Sequence, residues 1–178
     1  PTTQVSYKSA GQTLIIGPMT DAVAVANLLK GSVAVSVLAT SDEGETAGEL
    51  PAARDFVVVT GDWIRATGWL GAFDVKWQQA NPIDLDACTR CGACVKACPE
   101  QAIDFSLQVD LQKCKSHRAC VAACGDIGAI DFSRIDAERS GRFDIVLNLT
   151  AQPLFTQHQP PQGYFQPAND AIARLRAI

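Results

Sequence analysis

All 7 cysteines of this 178-residue chain lie between positions 88 and 124. The first four, Cys88, Cys91, Cys94 and Cys98, are followed by Pro99 and form a C-x2-C-x2-C-x3-C-P run. Three thiolates at successive three-residue steps suit three corners of one iron–sulfur cube, while the fourth faces away and serves a second cluster. Zinc is the rival for such residues, but structural zinc sites use two ligand pairs set apart by a spacer. Disulfides fit poorly as well, because the count is odd and the spacing is too regular for loop staples. The chemistry expected here is one-electron transfer at iron.

A shift of 26 residues superposes the run on a second copy, with Cys88 on Cys114, Cys94 on Cys120 and Cys98 on Cys124. Ile83-Asp84-Leu85 falls on Val109-Asp110-Leu111, and the copies end in Ala102 to Phe105 and Ala129 to Phe132 with one residue inserted. The copies are therefore expected to pack as a pseudo-twofold pair. By the crossover rule, Cys88, Cys91, Cys94 and Cys124 hold cluster I, and Cys98, Cys114 and Cys120 hold cluster II. Cys91 maps onto His117, which stands at the remaining corner of cluster II. That cluster is expected either to take the imidazole as fourth ligand, as a 4Fe-4S cube, or to persist as a 3Fe-4S cluster. A neutral imidazole raises the potential of the iron that it binds. Arg90, Lys96, Lys113, Lys115 and Arg118 lie within the cysteine-bearing unit and are expected to lift its potentials or to meet an acidic partner.

The elements that must carry this unit begin at the amino end. Thr13 to Ile16 is a short apolar run, Thr20 or Asp21 is placed to cap a helix ending near Gly31, and Ser32 to Leu38 follows as a strand. The continuous apolar character of Val33, Val35, Val37 and Leu38 fits a buried parallel strand of a βαβ unit. A polar loop from Ser41 to Arg54 leads to a third strand at Asp55 to Val59. Dinucleotide binding is disfavoured: Gly17 to Asp21 lacks the G-x-G-x-x-G spacing, Pro18 removes an amide donor, and Asp21 would oppose phosphate.

Trp63, Trp69, Phe73, Val75 and Trp77 all occupy odd positions, so an extended chain puts them on one face, where burial between the two units is expected. Phe143 to Leu149 reads as one strand joining an existing sheet. A Gln- and Pro-rich tether follows, in which His158 is read as solvated. A final helix over Ala171 to Ile178 is expected to continue into something longer. A net charge of −4 and a pI near 5.1 argue against nucleic acid as a partner. No stretch reaches the twenty or so apolar residues of a membrane span. With no secretory-type start and with clusters that need reducing conditions for assembly, the expected compartment is the cytoplasm.

Residues 83 to 132 resemble a dicluster bacterial-type ferredoxin domain, departing at His117 and at Gly125, where the second proline usually stands. Thr67 to Val75 is similar to the approach to the ferredoxin insertion of heterodisulfide reductase and its relatives. Arg142 through Tyr164 is similar to the amino-terminal part of large proteobacterial 4Fe-4S ferredoxin proteins. The resemblance implies an electron carrier of several clusters whose partner is a redox protein or another part of a longer chain. The expected architecture is an α/β scaffold over 1–80, a βαβ unit with a small, mainly parallel sheet, then an α+β dicluster ferredoxin-like domain over 81–136. A strand, tether and helix over 137–178 complete it. Two other classes stay open: a fragment of a flavin-dependent or heterodisulfide-reductase-like oxidoreductase, and a structural or sensing iron–sulfur protein.

Overall fold

In the computed structural model the described residues are 10–40, 54–69, 71–105 and 107–150. The polar loop, the tether with His158 and the terminal helix expected from the sequence lie outside them. β1 (Gln12–Pro18) runs directly into α1 (Met19–Leu29), with Pro18 as the capping residue at φ −52° and ψ 142°. Neither Thr20 nor Asp21 caps the helix as expected. The proline ring fixes an extended approach, and Asp21 falls in the first turn, against the positive end of the helix dipole. The helix closes at Lys30, whose amide donates to the Ala26 carbonyl at 2.9 Å, rather than at Gly31. Met19, Ala22, Val23, Ala26 and Leu29 form its buried stripe.

β2 (Ala34–Thr40) lies parallel to β1, and β3 (Val57–Trp69) lies parallel to β2. The third strand is therefore far longer than Asp55 to Val59. It absorbs the first half of the aromatic stretch and returns antiparallel as β4 (Ala72–Gln79). Beyond the cysteines, the single strand expected near 143–149 is two, β5 (Glu138–Phe143) and β6 (Ile145–Asn148), broken at Asp144. β5 pairs antiparallel with β4, whereas β6 pairs parallel with β1, giving one mixed sheet in the order β5-β4-β3-β2-β1-β6.

Consecutive strands at opposite edges of one sheet require the sheet to curl until its edges meet. Asp144 is the stitch: its amide donates to the Gln12 carbonyl at 2.8 Å, its carbonyl accepts from Gly71 at 2.8 Å, and its carboxylate accepts from the Gln12 amide at 3.0 Å. Closure of this kind hides sheet edges that would otherwise invite pairing with other chains. Inside the curl lie Leu14, Ile16, Leu38, Ala66 and Val75, with Val59, Trp63, Phe73, Trp77, Phe143 and Val146 packed against them. Trp63, Phe73, Val75 and Trp77 of the expected aromatic stripe thus line the inside of the sheet and not a seam between two units. The odd-position rule also fails partway, because the register slips between Trp63 and Arg65 and Ala66 then faces inward.

The outer face of the parallel strands carries Ile15, Val35, Val37, Val58 and Leu147. α1 covers part of it, and Ile83, Leu85, Cys94, Ile103, Leu107, Cys120 and Ile130 of the cysteine-bearing stretch join the same apolar cluster. That stretch leaves the sheet after β4 and re-enters at β5, its ends tied by Gln79 N to Ala137 O at 3.1 Å and Asp136 N to Gln79 O at 2.9 Å. It is an insertion in the β4–β5 hairpin. The hairpin before it depends on close backbone approach at Gly61, where an added Cβ would stand 2.1 Å from the Gln78 carbonyl oxygen. Gly61→Ala is expected to cost about 1–3 kcal/mol, the usual penalty for forcing atoms into a packed site. A thermal melt with an unchanged midpoint would show that the strands part freely there.

Candidate metal centre

The two copies fold by the same local rules. Asp84 and Asp110 each turn the chain toward a cysteine. The Asp84 carboxylate accepts from the amides of Asp86 and Ala87 at 3.0 and 3.1 Å, and that of Asp110 from Gln112 and Lys113 at 3.0 and 3.2 Å. Their carbonyls accept from Cys88 at 2.9 Å and from Cys114 at 3.0 Å. Left-handed backbone recurs at the same offsets, at Arg90 (φ 59°) and Gly92 (φ 70°), then at Ser116 (φ 58°) and Arg118 (φ 60°). These turns swing the cysteines inward before the short helices α2 (Ala93–Ala97) and α3 (Ala119–Cys124).

Strand fragments explain why the copies interlock. Ile103 bridges Val109 within the middle of the unit, whereas Ile83, at the start of the first copy, bridges Ile130, at the end of the second. The hydrogen bonds Asp84 N to Ala129 O at 2.7 Å and Asp131 N to Pro82 O at 2.9 Å reinforce the crossing. The last cysteine of each copy is thereby delivered to the other. One hollow is lined by Cys88, Cys91, Cys94 and Cys124 with Ile83, Ile127 and Ile130. A second is lined by Cys98, Cys114, Cys120 and His117 with Ile103, Val109 and Phe132. The structure therefore gathers the eight residues singled out from spacing into two groups of four.

The chemistry of these groups fits clusters better than single ions. None of the 7 thiols is in a disulfide. Among the described residues no three Cys, His, Asp or Glu side chains converge tightly enough to grip one metal ion. Four thiolates on zinc must approach within roughly 4 Å of one another, whereas a cube holds its ligands further apart at separate corners. Apolar side chains form part of each wall, and backbone amides point at sulfur, from Arg90 to Cys88 and from Ala102 to Cys98, both at 3.4 Å. Such bonds tune iron–sulfur potentials. Burial pushes the Cys94 and Cys120 thiols up, and neighbouring cysteines add to the effect. A positive metal centre offsets that cost by holding the thiolates.

His117 is half exposed, with Nδ1 4.0 Å from Glu100 Oε1. Its counterpart Cys91 is also exposed, so exposure belongs to this corner in both copies. Not all the expected charge faces outward freely: Lys113 pairs with Asp110 at 3.0 Å and Lys115 with Glu100 at 3.4 Å. Arg118 lies over the Phe132 ring, 3.8 Å from its centroid. The equivalent place in the first copy is Gly92, beside the outward-facing Phe105.

Acid should loosen the turns that present the cysteines. Partial burial works to raise the Asp84 carboxyl, but hydrogen bonds from Ala87, Arg134 and Asp86 outweigh it and hold the pKa below its ordinary value of 3.8. Arg134 Nη1 lies 2.8 Å from Asp84 Oδ2. The Lys113 ammonium and amide likewise hold Asp110 low. A depressed carboxyl stabilises the fold above its unfolded pKa and loses that contribution as pH falls through the folded one, so the loss is expected below about pH 4. Asp84→Asn should flatten the acid limb of a circular-dichroism titration, and an unaltered limb would remove Asp84 from this role.

The family model of the 4Fe-4S dicluster domain matches residues 80–125, a stretch that holds every cysteine. No curated protein matches the chain. The match supports a ferredoxin-type domain with iron–sulfur clusters, and electron transfer as its use. Among the described residues no helix is long and apolar enough to cross a membrane.

Proposed function

We propose that the chain is an electron-transfer module of a larger multi-cluster redox protein that works in the cytoplasm and passes electrons to a redox partner or to other parts of the same protein. Residues 81–136 form the dicluster unit, and the scaffold of 1–80 carries it together with the strands of 137–178. Cys88, Cys91, Cys94 and Cys124 hold cluster I as a 4Fe-4S cube. Cys98, Cys114 and Cys120 hold cluster II with His117 at its last corner, as a 4Fe-4S cube or, when that iron is lost, as a 3Fe-4S cluster. The observation that carries this reading is the crossed grouping of four residues around each hollow.

Each cluster, when bound, takes up and releases one electron. The protein's part is to hold the thiolates, to screen the sulfurs with apolar side chains and to direct the amides of Arg90 and Ala102 at them. A potentiometric titration should show two separate one-electron steps with reversible bleaching in the visible. A chain that never reduces reversibly, yet unfolds when chelators remove its iron, would mean that the clusters only hold the fold.

A further inference from the structure

The Arg54 side chain is only 7% exposed although it is charged. A buried cation is tolerated when it is paired and its donors are satisfied. Arg54 Nε donates to the Phe56 carbonyl at 3.2 Å, and Nη2 donates to the Leu85 carbonyl at 3.0 Å and to the Asp86 carboxylate. Phe56 leads into β3, whereas Leu85 and Asp86 lead into Cys88. One guanidinium thus ties the sheet to the backbone that presents the first cysteine run, from a position outside the stretch matched by the dicluster domain.

We propose that Arg54 is a positioning residue for cluster I that also raises its reduction potential by keeping positive charge on the buried side of the Cys88 turn. This rests on the ligand reading above. The Asp86 side chain is 47% exposed, so water screens part of its charge and leaves a smaller effect on the cluster, whereas the buried guanidinium acts through the interior. Positive charge near a cluster favours the reduced, more negative state. The second copy has an exposed, neutral Gln112 where the first has Asp86, so the device belongs to one cluster alone.

The test is a potentiometric titration followed by EPR on the full chain, comparing wild type with Arg54→Met, Asp86→Asn and the double variant. Arg54→Met should shift the cluster I midpoint downward, Asp86→Asn should shift it upward, and the double variant should return toward wild type, with cluster II unmoved throughout. Return in the double variant marks a charge effect that mere loosening of the turn would not produce. If Arg54→Met fails to fold, the upward shift in Asp86→Asn still supports the proposal, and no shift there overturns it. Two titrating clusters whose midpoints ignore both single substitutions would overturn this inference alone. A wild-type chain without two titrating clusters would overturn the ligand reading and this inference with it.

Discussion

Cys124→Ser is expected to abolish cluster I, and Cys98→Ser to abolish cluster II, although each cysteine belongs in sequence to the run around the other cluster. The reason is geometric. Ile83 bridges Ile130 and Asp84 bonds to Ala129, so the end of the second copy lies beside the start of the first. Cys124 then faces the hollow of Cys88, Cys91 and Cys94. Either substitution should remove about four iron atoms per chain and leave the other cluster's EPR signal. It should also lower the melting temperature, since the free energy of metal binding is free energy of folding in small metal domains. Cys88→Ser, Cys91→Ser and Cys94→Ser should reproduce the Cys124→Ser phenotype. Should Cys124→Ser spare cluster I and eliminate cluster II, the copies would each hold their own cluster and the crossed assignment would fall.

The second large effect concerns His117. On the proposed ligand set, a neutral imidazole would hold one corner iron less firmly than a thiolate, and that iron would be the first lost to oxidants. Protein isolated in air is expected to show a 3Fe-4S signal from cluster II, and added iron under reducing conditions should restore the cube. His117→Cys should give two ordinary 4Fe-4S clusters with cluster II at lower potential, because a thiolate adds negative charge. His117→Ala should lose about one iron per chain and leave the 3Fe-4S form predominant even without oxygen. A His117→Ala protein with a full cube and the wild-type EPR spectrum would show that another group holds that iron.

The residues that line the two hollows were readable from sequence because a cube demands ligands at fixed short spacings, and those spacings are local. His117 stood out through the 26-residue register alone, since nothing in its immediate neighbours marks a ligand. The repeat was equally plain, and the matching left-handed turns at Arg90 and Ser116 are its physical content. The curled sheet was not readable in the same way. Leu14, Ile15 and Ile16 are all buried, on alternate faces, so a continuous apolar run says that both sides are covered without saying by what. Trp63, Phe73, Val75 and Trp77 do share one inner face, but the slip between Trp63 and Arg65 depends on how the neighbouring strand pairs, and the curl closed by Asp144 on a partner 132 residues away. Arg54 left no signal at all, because its acceptors Leu85 and Asp86 lie 31 and 32 positions along the chain.

Iron and acid-labile sulfide counted per chain after anaerobic purification, together with EPR of the same sample before and after reduction, test the central claim most directly. The account predicts about seven to eight iron atoms with a matching amount of sulfide, and two distinct paramagnetic centres on reduction. About two metal ions per chain with no labile sulfide and no EPR signal on reduction would contradict it, since the cysteines would then be gripping single ions.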